Sequence, residues 1–309
     1  MARSMRLVVR MQRFEIVAQL IFVVALIAAA LFVAWELDSV GFGPCFLAMD
    51  APPAGCEALG RRFFDLQMDH AQPVFSFLGI LPYAAGVFLG APVIARELER
   101  GTARLAWSVA PSRVRWYAWR VIPVILFAVA IAFVAGWAAD RLVAARTPGI
   151  DLANSFDTYG ERGVLVAVTA FVMVAGSIGL GSVIGRVLPT VILGLILGYF
   201  GVLAVQKLHA DFTVREAVIV EESEVRPADL YVDQFFRLPD GRLIGWQELE
   251  AIDPGAFQNE MGPQYPIASL VIPGERYREI ETRQALLLGS IGVAMLVGAG
   301  VIVARRRPG

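Results

Sequence analysis

The chain has 309 residues, 57% hydrophobic and 18% charged, with a mean hydropathy of +0.62 and a net charge of −1. Water-soluble domains carry about 25% charged residues, so this composition excludes an ordinary soluble globule, and no nucleic-acid partner is expected from a chain this near neutrality. Six runs lack any ionisable residue and approach the roughly 20 residues that a helix needs to cross hydrocarbon: Ile16–Trp35, Pro73–Ala95, Val121–Ala139, Val164–Ile184, Val187–Val205 and Ala285–Ala304. The pattern predicts an all-α polytopic membrane protein with six transmembrane helices.

In chain order, the N-terminus comes first. Arg3, Arg6, Arg10 and Arg13 recur at steps of three and four, which puts them on one stripe of a helix. Residues 3–14 therefore read either as an amphipathic elbow lying on a lipid surface or as a basic flank. The first apolar run could be taken for a secretion signal, but it exceeds the 7–15 residues of a cleaved one, and a retained helix is expected. Cys45 and Cys56 follow in one short loop. On an oxidising face they would close a disulfide; two unrelated thiols are the alternative. The two cysteines have no histidine beside them, and no His-Glu-x-x-His motif occurs, so neither a metal site nor a cofactor is expected.

Orientation follows from the arginines. If both termini are cytoplasmic, the inner segments are 1–15, 96–120, 185–186 and 305–309. These short segments hold 14 of the 27 basic residues and only three of the 28 acids, which satisfies the positive-inside rule. A multi-pass plasma-membrane protein with both termini in the cytoplasm is expected. Glycines 176, 179, 181 and 185, the pair Gly194 and Gly198, and Gly298 and Gly300 mark close helix packing. Ser177 and Ser182 read as packing hydroxyls, since no intramembrane histidine or lysine accompanies them. Residues 206–284 form the sizeable polar piece, with alternation in "FTVREAVIV" and turn signals at Pro239-Asp240-Gly241 and Pro273-Gly274. A small mixed extracytoplasmic segment between spans five and six is expected there. The organisation is thus 1–205 (spans one to five), 206–284, and 285–309 (sixth span and basic tail).

Catalytic chemistry is missing from this reading. The sole lysine is Lys207 and no P-loop occurs, so the chain should not bind nucleotide phosphates itself. No span carries an acid for a proton relay. No enzyme is expected.

The stretch that stands out is "GVFLGAPVIARELERGTARLAWSVAPSRVRWYAWR", residues 86–120. A span exits through Pro92 into Arg-Glu-Leu-Glu-Arg-Gly-Thr, then an apolar turn, then Pro-Ser-Arg and another span. This resembles the permease subunits of type-2 ABC transporters, the exporter class, in the variant common in actinobacteria; Ser108-Val109-Ala110 stands where those often read Thr-Gln-Ser. The resemblance implies a separate cytoplasmic ABC ATPase subunit, a second permease copy or homologue, and a lipid setting. It also implies that the loop 96–120 carries a coupling helix, with Glu97, Glu99, Gly101, Thr102, Arg104 and Trp107 as contact residues. Two positions apart, the glutamates cannot share a helix face, and Glu97 is the expected docking contact. A non-transporting scaffold or sensor, reading a signal through 206–284, is the other reading.

Overall fold

The computed structural model describes residues 13–48, 53–110, 112–256 and 265–306. The proposed elbow 3–14 falls almost wholly outside them. The chain divides into two compact units: residues 1–149, 158–204 and 283–309 form the first, and residues 150–157 and 205–282 the second.

The first unit is helical. Helix α1 (Arg13–Val40) is followed by the one-turn α2 (Gly43–Leu47). A continuous helical stretch, Cys56–Glu99, then comprises α3 (Cys56–Leu66), α4 (Gln72–Ala85) and α5 (Ala91–Glu99). Between these lie two wide turns, in which the amide of Gln72 reaches back to the Gln67 carbonyl and that of Ala91 to Gly86. A proline follows each, Pro73 and Pro92, and the missing N–H accounts for the local departure from the regular ladder. Next come the short α6 (Thr102–Val109), then α7 (Arg113–Arg146), α8 (Gly163–Ile184), α9 (Val187–Thr213) and α11 (Tyr277–Arg305), the last two with their ends 205–213 and 277–282 in the second unit.

Among the described residues, five helices are long and apolar enough to cross a membrane: Val17–Val40, Cys56–Glu99, Arg113–Arg146, Gly163–Ile184 and Gly274–Arg305. The sixth expected crossing falls on α9, whose described apolar stretch, Val187–Gly201, is shorter. The helices outrun the apolar runs read from sequence. Arg113–Tyr117 and Asp140–Arg146 belong to α7 although they are polar or interfacial in character. Charge limits what hydrocarbon will accept, not where a helix stops.

Helix α8 lies at the centre of this unit, packed on α7, α4, α5 and the second wide turn. Close approach is possible because Gly86 and Gly90 carry no side chain. A Cβ on Gly86 would sit 2.9 Å from the Met173 carbonyl oxygen, and one on Gly90 2.8 Å from that of Val174. Of the glycines singled out by sequence, Gly181 faces the Ala91 carbonyl, Gly194 faces Ser177 and Gly198 faces Met173, whereas Gly179 and Gly298 meet nothing. The core gathers Ala85, Leu89 and Ile94 with Val121, Val174 and Val303.

The second unit holds a four-stranded antiparallel sheet in the order β1 (Val218–Glu221), β4 (Ile267–Ile272), β2 (Leu230–Arg237), β3 (Leu243–Ile244), with a short helix α10 (Trp246–Ile252). The Pro239-Asp240-Gly241 turn closes the β2–β3 hairpin, where the Gly241 amide bonds the Leu238 carbonyl. Phe236, Ile244, Leu249 and Ala256 form its core. The "FTVREAVIV" run divides: Phe212 and Thr213 end α9, and strand begins only at Val218. Residues 150–157 join this unit because Phe156 is buried, donates its amide to the Ala228 carbonyl at 2.9 Å, and packs edge-on to Tyr277.

Candidate functional site

The conspicuous loop becomes a compact helix-turn-helix at one end of the first unit. Helix α5 stops because Gly101 adopts φ +70°, a left-handed conformation that glycine reaches without strain. Its amide bonds the Leu98 carbonyl at 3.2 Å, and the Thr102 hydroxyl donates to the Glu97 carbonyl at 3.3 Å. The chain turns here and enters α6. Ala103, Ala106, Trp107 and Ala110 recur at helical spacing and face the core, while Leu105 stands 72% exposed on the opposite side. Helix α7 starts where Ser112 caps it, its hydroxyl accepting from the Arg115 amide at 3.1 Å.

Aromatic and cationic side chains hold α6 down. Trp107 meets Trp116 edge-to-face with centroids 5.9 Å apart, and the Arg113 guanidinium lies 4.9 Å over the Trp107 ring. Both indole N–H groups are buried without an acceptor among the described residues. Arg113 also donates to the carbonyls of Ala304 and Arg306, tying the start of α7 to the end of α11. Arg306 in turn donates to the Ser182 carbonyl at 2.7 Å, at the end of α8. Arginines near helix C-termini satisfy carbonyls that the helix itself leaves unpaired.

The two glutamates part company. Glu97 is 4% exposed and forms an ion pair with Arg120 at 2.7 Å. Its carboxylate points into the protein, so the expectation that it meets a partner's charge directly does not fit its position. Burial of the α5 face that also carries Val93 and Ile94 is the physical reason. Glu99 is exposed, and its Oε2 accepts the Val187 amide at 3.1 Å, at the first turn of α9. Gly101 and Thr102 make the turn, and Trp107 anchors α6 from within; the side chain of Arg104 lies outside what the structure describes. Sequence reading missed Arg113, Arg120 and Arg306 as structural cross-links. Their partners lie 23 to 193 residues away, so no local spacing signals them.

At the other end of the same unit, Cys45 and Cys56 form a disulfide with Cα atoms 5.6 Å apart. Among the described residues, no group of three or more His, Cys, Asp or Glu side chains could hold a metal ion.

Among the described residues, the first unit has helices long and apolar enough to cross a membrane, with the short α6 between the second and third of them. Residues 16–209, more than half of the chain, match the family described as ABC-2 membrane transporter related, and the chain belongs to that family. Permeases of this family generally pair with an ATPase subunit. No curated protein and no solved structure matches the chain significantly.

Proposed function

We propose that the chain is the membrane permease subunit of an ABC exporter in the plasma membrane, and that α6 is its coupling helix on a separate cytoplasmic ATPase. In this reading α9 supplies a sixth crossing, both termini are cytoplasmic, and a second permease copy or homologue completes the pathway. ATP is hydrolysed by the partner, since this chain has no P-loop. Uncharged spans suit an amphipathic or apolar cargo.

The observation that carries the proposal is α6 itself. Trp107 and its neighbours fix it to the bundle, while it presents the 72% exposed Leu105 outward. A seated helix with an apolar side chain left exposed offers a partner a fixed apolar contact. Substituting Leu105→Glu tests it. An interface anchor of this kind is worth more than about 1.4 kcal/mol, so ATPase recovery with the purified chain should fall at least ~10-fold, with thermal unfolding of the permease unchanged. Unchanged ATPase recovery and unchanged cargo export in vesicles would reject the docking role and leave the scaffold or sensor reading.

A further inference from the structure

The start of α9 is held in an unusual way. Arg186, the residue before it, has a side chain with no hydrogen-bond acceptor, and Pro189 in its first turn has no N–H. The cap comes instead from another helix: Glu99, 88 residues earlier, accepts the Val187 amide. A carboxylate at a helix N-terminus is favoured by the aligned peptide dipoles as well as by the bond itself. The preceding turn is gripped from the same direction. Gly185 takes φ +69°, and a Cβ there would lie 2.9 Å from Arg306 Nη2 and 3.5 Å from Leu98 Cβ. So α5, through Leu98 and Glu99, and the end of α11, through Arg306, close on the α8–α9 turn.

Elsewhere α9 is thinly held. Ile192, Leu193, Leu195, Ile196, Leu197 and Phe200 are all exposed, and it meets α8 through Gly194 and Gly198. Glu99 is itself exposed, so burial does not force the contact. It sits one turn of chain before α6.

We propose that Glu99 is a positioning residue that ties the first turn of α9 to the α5–α6 turn, so that displacement of α6 is passed to α9. The inference rests on the reading of α6 as the coupling helix. It differs from a docking role for Glu99 in one chemical respect: the tie is made by an acceptor oxygen, and the charge adds only the smaller dipole interaction. Glutamine preserves the acceptor and alanine removes it.

Hydrogen exchange on the full chain, purified with its ATPase, with and without a non-hydrolysable ATP analogue, distinguishes these. Without nucleotide, Glu99→Ala should raise exchange at the Val187 amide by roughly five- to tenfold, the scale of one lost hydrogen bond, and Glu99→Gln should raise it only about twofold, through the lost dipole interaction. With nucleotide, protection across 102–110 should change in all three proteins. The first turn of α9 should respond in the parent and in Glu99→Gln but not in Glu99→Ala. A response of α9 that survives in Glu99→Ala would overturn the inference and leave the coupling helix intact. Loss of the response in Glu99→Gln would also overturn it, since charge would then be what matters. If nucleotide leaves 102–110 unchanged in the parent, the coupling reading fails and this inference fails with it.

Discussion

The two ends of the helical unit are fastened by different chemistry. At one end the Cys45–Cys56 disulfide is packed beside an aromatic cluster in which Phe42 lies 4.8 Å from Phe63 and 5.9 Å from Phe64. Its polar contacts join side chain to side chain: His70 Nδ1 and Glu36 at 3.2 Å, Arg162 and Asp140 at 3.2 Å. At the other end no covalent link occurs among the described residues, and beside the Glu97–Arg120 ion pair arginines reach backbone carbonyls, from Arg113 to Ala304 and Arg306 and from Arg306 to Ser182. The first arrangement resists separation of two loops. The second joins three helix ends, those of α7, α8 and α11, at the places where helices have unpaired groups to offer. Arg113, Arg120 and Arg306, which a topology count treats as part of a uniform positive layer, are therefore individually committed cross-links.

The contrast can be broken first at the level of topology. If the arginine-rich end is cytoplasmic, an impermeant thiol reagent should label Ser223→Cys in intact cells and spare Ser108→Cys until lysis, an all-or-none difference. Both sites are exposed, and the native cysteines are oxidised. Ser155, which sequence alone would offer for the same purpose, is fully buried and unsuitable. Labelling of Ser108→Cys but not Ser223→Cys in intact cells would invert the orientation.

The next largest effect should come from the buried ion pair. Glu97→Ala leaves Arg120 without its carboxylate in a largely buried setting, and breaking such a pair costs about 3–5 kcal/mol. Thermal unfolding in detergent should drop clearly, where a purely docking glutamate would leave it alone. An unchanged midpoint would show that the pair is not formed.

Removing the disulfide should matter less and more locally. Cys45 and Cys56 are separated by 11 positions, and closing a loop of this size stabilises by about 3 kcal/mol at most in the chain-entropy account. In Cys45→Ser/Cys56→Ser, exchange should rise across 43–66 and stay at the parent level across 102–110. A rise at both ends would mean that the two fastenings are coupled.

Much of this was legible from hydropathy. The cores of α1, α7, α8 and α11 coincide with charge-free runs, because an ionisable group in hydrocarbon is costly enough to be kept out. The short helix within 96–120 is implied only by the family resemblance, and Gly101 and Thr102, expected as contact residues, make the turn before it. What was hidden is long-range. From sequence Glu97 reads as a partner contact, because its ion-pair residue, Arg120, is 23 positions away on α7 and looks like one more positive flank. The inclusion of residues 150–157 in the second unit was equally invisible, since it depends on Phe156 finding Ala228 and Tyr277 across the chain.

The two proline-associated wide turns have a mechanical corollary. A helix of 44 residues that loosens at 67–71 and again at 86–90 behaves as a jointed rod of three stiff links, not as one beam. The joints are unlike each other. The one at 86–90 is seated against α8, where Gly86 and Gly90 leave no room for anything larger than hydrogen, so it swings only with α8. The one at 67–71 turns Met68 outward but is held to α1 by the contact of His70 with Glu36 at 3.2 Å and by the buried Ala71. Each joint of this rod is thus set against a different neighbour, α1 near the disulfide and α8 near Glu97.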